Sequence, residues 1–313
     1  RYYMYGLEKE LKDVDIIHTI ETWPGFSYQA IKAKERYGSK VVVTQWENIP
    51  LAGEENRKVR RVKDEVRRKA DLFIASTQRA KEALMLEGVA EERIRLIPMG
   101  IDLIRFKPRL KDRELMKKIN IKDSDLVILF LGRFAWEKGI YDTLYAAKKI
   151  LTDRTQRYPP LKFLFVGEGK EKENIRSLMK NLNLSQNIRL IDNLPYHQVH
   201  KLHNLADIFL FPSIPTNWIK EQFGYALIES MACQKPVIAT LCGSIPEVVG
   251  DAGILVQPND FVSLSQAIKK LILDEDLRIQ LGKRARGRAE ERFDCLKVAE
   301  KIKQVYRELP KKK

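Results

Sequence analysis

Residues 126–139 read LVILFLGRFAWEKG: six apolar residues, a glycine, then Arg133 and Lys138 ahead of a second glycine. The apolar run has the length and the Val/Ile/Leu/Phe content of a strand buried on both faces. Residues 132–138 then form a loop, and 139–151 continue as a helix. Strand, loop and helix in that order are the repeating unit of a parallel α/β sheet. Two cations five residues apart at a helix start can clamp a diphosphate, Arg as a fork and Lys as a point charge. The glycines spell neither G-x-G-x-x-G nor a P-loop, so a dinucleotide enzyme or a P-loop nucleotide enzyme is not supported.

The same unit repeats on both sides of this stretch. Downstream, short apolar runs at 162–166, 188–191, 207–211, 236–239 and 253–256 read as strands separated by helices. Three more helices are expected over about 260–273, 275–291 and 295–308. Upstream, 14–20, 40–44, 71–76 and 93–98 read as strands, with helices at 26–37, 54–69 and 78–87. Parallel strands with right-handed crossovers follow from the alternation. Residues 102–125 are charged and break the pattern, which places an interdomain link there. The expected division is an amino-terminal domain at 1–109, a second domain at 110–292 and a closing helix at 293–313. Two domains also suit a length of 313 residues.

Composition narrows the partners. Lys and Arg number 57 against 42 Asp and Glu, a net charge of +15. That excess favours anionic partners: nucleotides, phospholipid surfaces or nucleic acid. The Lys/Glu/Arg richness also fits a heat-adapted source. Cys233, Cys242 and Cys295 are too few and too scattered for a disulfide framework or a zinc site, and they suit a reducing cytosol. No apolar run has the length of a membrane span, and no signal peptide is visible. The chain begins with Arg1 rather than Met, which suggests a fragment or a processed product.

Parallel sheets bind ligands in the loops after the carboxyl ends of their strands. His18, Gly132, Arg133, Lys138, Glu168, Glu221 and Gly243 all fall in or beside such loops. In Glu221-Gln-Phe-Gly-Tyr-Ala-Leu-Ile-Glu229, two carboxylates sit eight residues apart with Gly224 between them. The residues after Gly224 read as a helix whose free N–H groups favour a phosphate. Carboxylates beside a phosphate would be repelled by it and suit neutral hydroxyls on either side. A nucleotide-sugar has that layout: ribose hydroxyls, diphosphate, sugar hydroxyls.

The runs GRFAWEKG, VGEG at 166–169, FPSIPTNWIKEQFGYALIES at 211–230 and GSIPEVV at 243–249 together resemble the carboxyl-terminal domain of retaining GT-B glycosyltransferases, the group typified by glycosyltransferase family 4. RIRLIPMGIDLIRFKP, at 93–108, resembles that family's interdomain segment. The resemblance implies a GT-B fold, two Rossmann-like doubly wound domains facing each other across a cleft whose closure completes the site. It implies transfer of a sugar from a nucleoside diphosphate with retention and without a metal or other cofactor. Arg133 and Lys138 would bind the diphosphate and stabilise the leaving nucleotide. Glu229 would bind ribose hydroxyls and Glu221 hydroxyls of the transferred sugar. Gly132, Glu168 and the backbone of Gly224, Tyr225 and Ala226 would line the donor, and Leu194 would lie beside the base. The D-x-D pairs Asp13/Asp15 and Asp123/Asp125 stand at the amino ends of strands and are not expected to hold a metal.

The amino-terminal half departs from the family pattern: the chain starts at the helix before the His18 strand, so roughly the first 60 or more residues expected of a domain this size are absent from this sequence. His18 falls where the family often has a histidine, but the second histidine position holds Ile20. His18 is therefore a catalytic candidate against the reading of a satisfied strand-end histidine. Glu21 and Trp46 are lesser candidates. The acceptor is expected to be a glycan or a lipid-linked molecule. The basic helix at 57–69 is either a solvated face or a contact for an anionic membrane, where each cation adds about 1 kcal/mol. Membrane contact would place a cytoplasmic enzyme on the membrane's inner face. Nucleic acid is not an expected partner, since no recognised module is present. A nucleotide-sugar-binding module without transferase activity, or a sugar-nucleotide epimerase of GT-B architecture, is the alternative.

Overall fold

The computed structural model describes residues 2–310; the Lys311-Lys312-Lys313 tail lies outside the described residues. Contacts divide the chain into two units. Among the described residues, the first holds 2–100, 218–223 and 295–310, and the second holds 101–217 and 224–294. The division falls at Gly100 and Ile101 rather than at 109, and residues 218–223, expected within the second domain, pack in the first unit.

The first unit is a four-stranded parallel sheet of β1 (Ile16–Ile20), β2 (Lys40–Gln45), β3 (Leu72–Ala75) and β4 (Ile94–Leu96). Its spatial order is β1-β2-β3-β4. Strands that advance one place at a time through right-handed crossovers put every crossover helix on one face. Ile17, Val41, Val43, Phe73 and Ala75 face that side. There they pack on α2 (Gly25–Tyr37), α3 (Arg57–Lys69) and α4 (Gln78–Leu86) through Ala30, Ile31, Val66, Ala80 and Leu84. A short α1 (Leu7–Glu10) precedes β1.

The crossovers leave the other face of this sheet open. The closing helix, Cys295–Glu308, covers it. Val298, Ile302, Val305 and Leu309 recur at helical spacing and pack on Val42, Leu72, Ile74 and Ile97.

The second unit opens with α5 (Arg113–Lys118), a short helix inside the charged stretch read as a link. Its sheet holds β5 (Leu126–Leu131), β6 (Leu161–Val166), β7 (Ile188–Ile191), β8 (Ile208–Phe211), β9 (Val237–Thr240) and β10 (Gly253–Val256). The helices are α6 (Ile140–Leu151), α7 (Lys172–Asn181), α8 (Val199–Leu205), α9 (Tyr225–Ala232), α10 (Ile245–Val249), α11 (Phe261–Leu273) and α12 (Glu275–Arg292). The closing helix is then α13. The strand order is β10-β9-β8-β5-β6-β7, all parallel. The chain runs outward from β5 to β7, then returns to the other side of β5 as β8. That reversal is a topological switch point, where open α/β sheets bind ligands. Ile128, Phe130, Phe163 and Phe165 pack on α6, α7 and α11 to make the larger core.

Helix α3 is basic in sequence, but not all of its cations are solvated. Lys63 is 1% exposed and Arg67 is buried with it; Glu54 and Glu87 neutralise both. Lys69 pairs with Glu35 and Glu65, and Arg68 with Glu65. The outward charge is concentrated in Arg57, Lys58, Arg60 and Arg61. Among the described residues, no helix is long and apolar enough to cross a membrane.

Candidate functional site

The switch point of the second unit lies between the carboxyl ends of β5 and β8. The β5 loop runs Gly132-Arg133-Phe134-Ala135 and then a single tight turn, Trp136–Lys138, into α6. Phe134 is fully buried and anchors the loop. The loop is also held by backbone on three sides. Gly132 N–H donates to Val166, Phe134 N–H to Glu168, and Ile214 N–H to the carbonyl of Glu137.

Close backbone approach explains two glycines here. A Cβ on Gly167 would lie 2.0 Å from the carbonyl oxygen of Gly132. Gly139, at φ +70°, has no room either, since its Cβ would meet the Pro212 carbonyl at 1.9 Å. So the loops after β5, β6 and β8 are in direct contact at the switch point, and Arg133 and Lys138 ride on the middle one.

Arg133 is 62% exposed on its side chain and donates to Glu137 Oε1 at 3.0 Å. Lys138 is half-buried and Glu168 is exposed. Leu194 is half-buried in the loop after β7.

Helix α9 starts at Gly224, whose φ is +92° and whose Cβ would lie 3.0 Å from the Phe211 ring. Leu227 and Ile228 N–H turn back to the Gly224 carbonyl. Helix geometry leaves the first-turn N–H groups of Gly224, Tyr225 and Ala226 outside the ladder, so this end carries positive potential. Glu229 lies one turn on and is 5% exposed. Its carboxylate lies 3.2 Å from His203 Nε2. Burial and then the Glu229 carboxylate push the Tyr196 hydroxyl up to about 12.

Glu221 groups with the first unit, unlike Gly224 and Glu229. Its carbonyl accepts from Asn48 Nδ2 at 2.8 Å, and Gln222 Nε2 donates to Glu47. The eight-residue spacing of the two carboxylates therefore spans the point where the chain leaves one unit for the other.

His18 lies within β1, on the face that α13 covers, and not in the loop beyond. Its Nδ1 is 2.5 Å from the Tyr306 hydroxyl and its Nε2 is 2.7 Å from Thr44 Oγ1. Burial lowers its pKa. Both ring nitrogens thus have partners within the protein, the arrangement of a satisfied strand-end histidine. Asp123 pairs with Arg113, and Asp125 accepts from the backbone of Lys122. Among the described residues, no group of three or more His, Cys, Asp or Glu side chains is placed to hold a metal ion.

Glu21, at the carboxyl end of β1, is the most perturbed acid of the first unit's loops. It holds a φ of +60°. Its Oε1 accepts the N–H groups of Trp46 and Glu47 at 2.8 and 3.1 Å. Burial raises its pKa from 4.5 to about 7, and the two backbone donors offset only part of that. The folded state therefore keeps a proton that the unfolded chain has already lost between pH 4.5 and about 7. Its contribution to stability falls as pH rises through that window. Glu21→Gln should remove this slope. We expect the variant to gain about 2–3 kcal/mol over the parent at pH 8 relative to pH 4. Urea unfolding of both proteins at the two pH values reads it, and an equal difference at both would refute the assignment.

His203 and Tyr196 did not stand out in the sequence. A lone histidine on a short helix carries no local signal, and its partner lies in another element.

Residues 111–288 match the family described as glycosyl transferases group 1, and residues 2–105 match glycosyltransferase family 4. Among curated proteins, the chain is 32% identical over 255 residues to a D-inositol 3-phosphate glycosyltransferase of Corynebacterium jeikeium (strain K411), covering 77% of this chain and 58% of that protein. It is 31% identical over 195 residues to the N-acetyl-alpha-D-glucosaminyl L-malate synthase of Bacillus anthracis, covering 62% and 48%. The chain thus spans about half the length of these relatives. Among solved structures, HepE of Anabaena in complex with UDP superposes with a TM-score of 0.83 at 21% identity, over 97% of this chain and 81% of that one. Sucrose-phosphate synthase of Thermosynechococcus elongatus gives 0.77 at 24%, over 94% and 73%. The fold is GT-B, and the chain belongs to the group 1, family 4 glycosyltransferases.

Proposed function

We propose that the protein moves a sugar from a nucleoside diphosphate to a hydroxyl of a glycan or lipid-linked acceptor, with retention at the anomeric carbon and without a metal ion. The observation that supports this best is the placement of Arg133 and Lys138 on the β5 loop at the switch point, packed against the loops after β6 and β8. In this reading the bond from the anomeric carbon to the diphosphate breaks, and its electron pair goes to the phosphate oxygen. Arg133, Lys138 and the first turn of α9 meet the charge that develops there. Retention places the acceptor hydroxyl on the face the diphosphate leaves, so the freed phosphate oxygen takes the acceptor's proton. Glu229 holds the ribose and Glu221 the transferred sugar. Retention and metal independence are carried over from the family resemblance of GRFAWEKG and EQFGYALIE.

A thermal-shift series with UDP, GDP and ADP and their common sugar conjugates tests the donor site. UDP comes first because the HepE structure contains it. A ligand at 100 times its dissociation constant adds about 2.7 kcal/mol, which moves a melting point by a few degrees. We expect one base to stand out, and its sugar conjugate to support transfer. No shift with any nucleotide would sink the donor site. An isomerised donor, or binding without turnover against glycan and lipid-linked acceptors, would replace transferase with epimerase or binding module.

A further inference from the structure

Helix α8 carries His203, which is fully buried. Its ring stands edge-on to Phe106, with centroids 6.0 Å apart, and tilted against Phe209 at 5.4 Å. That packing fixes the ring plane and aims Nε2 at Glu229 Oε2, 3.2 Å away. On the opposite side of the ring Nδ1 is buried and has no hydrogen-bond partner. A proton on Nδ1 would be a buried donor with nothing to accept it, which is costly; a bare ring nitrogen there costs less. The proton therefore belongs on Nε2, where the carboxylate accepts it.

We infer that His203 is a positioning residue whose Nε2–H, held by Phe106 and Phe209, fixes the Glu229 carboxylate in the orientation that reads the ribose hydroxyls of the donor nucleotide. The inference rests on the reading of Glu229 as the ribose-binding carboxylate. A carboxylate offers about four lone-pair directions. His203 occupies part of that set from within the protein. The remaining lone pairs are then held still for the two hydroxyls of a vicinal diol, and the side chain loses little further freedom when the nucleotide arrives. Without the Nε2–H the carboxylate can rotate or turn to another donor, and the diol loses its matched acceptor.

The test compares UDP, GDP and ADP with their 2′,3′-dideoxy counterparts by titration calorimetry. It uses the parent, His203→Phe, His203→Gln and Glu229→Ala. In the parent the ribose form of the preferred nucleotide should bind about 10- to 100-fold more tightly than the dideoxy form, the range for hydrogen bonds to a charged group. His203→Phe should bring that ratio below about threefold by weakening only the ribose form. His203→Gln, whose amide can place a donor near the Nε2 position, should restore most of it. A parental ratio kept in His203→Phe and lost in Glu229→Ala would overturn the role of His203 and leave that of Glu229. A parental ratio near one would overturn both. Should His203→Phe fail to fold, the ring tautomer decides in the intact protein. A long-range proton–nitrogen spectrum showing the proton on Nε2 supports the inference, and one showing it on Nδ1 overturns it.

Discussion

Lys138→Ala is expected to lower kcat by about 10²- to 10³-fold while leaving the melting temperature and the fold intact, the range seen when one preorganised donor to a developing anion is removed. Lys138 closes the tight turn between β5 and α6, immediately before Gly139. The turn's position is set by backbone: by the bond from Ile214 N–H to Glu137 and by the contact of Gly139 with Pro212. Truncating the lysine leaves those bonds in place, so the loop should keep its path. What is lost is a positive charge at the site where, in the proposed reaction, the departing diphosphate gains negative charge. Such a charge acts more strongly on the transition state than on the bound donor, so kcat should fall more than nucleotide affinity. Arg133 should matter less to the barrier, being 62% exposed and already paired with Glu137. Single-turnover rates with saturating donor, beside calorimetric affinity for the free nucleotide, separate the two effects. A kcat within a few-fold of the parent would remove Lys138 from the chemistry.

The elements were legible because their signals are local. LVILFL declares β5 by itself, Gly132 and Gly139 bound the loop that follows it, and Gly167 opens the loop after β6 where backbone meets backbone. Strand order was not legible. Nothing in the composition of β8 says that it lies beside β5 and not beyond β7, yet that adjacency makes the switch point. The same limit applies to individual side chains. His18 looks like a site residue from its neighbours in sequence, while its partner Tyr306 lies 288 residues away. Glu229 could be picked out within its own helix, but His203, which holds it, is 26 residues distant on a helix with no distinguishing pattern. Residues 218–223 read as part of one loop with Gly224, because no composition shift marks the point where the chain changes unit.

The basic helix α3 shows the same limit in electrostatic form and leads to the largest expected change in stability: Glu87→Ala should cost about 3–5 kcal/mol. Sequence counts the charges of RKVRRVKDEVRRK without saying which are solvated. In the fold, Lys63 and Arg67 point inward, and Glu87, 2% exposed on its side chain, pairs with them at 2.8 and 2.9 Å. It also accepts the N–H of Leu51, which ties the preceding loop to the cluster. Glu54 holds the other side of the cluster. Burial pushes its carboxyl up, but the bonds from Arg67 and Lys63 outweigh this and hold it below its usual value. Removing Glu87 leaves buried Lys63 and Arg67 sharing Glu54 as the only buried carboxylate among their described ion-pair partners, since the other partner of Arg67, Asp64, is 59% exposed on its side chain. Glu35→Ala is the contrast. Glu35 also pairs with two lysines, Lys32 and Lys69, but its side chain is 40% exposed and solvent can replace it, so a loss within about 1 kcal/mol is expected. Urea unfolding of the two variants beside the parent measures both. A loss under about 1 kcal/mol for Glu87→Ala would mean that the cluster is solvated after all, and that Lys63 and Arg67 belong to the outward charge of the helix.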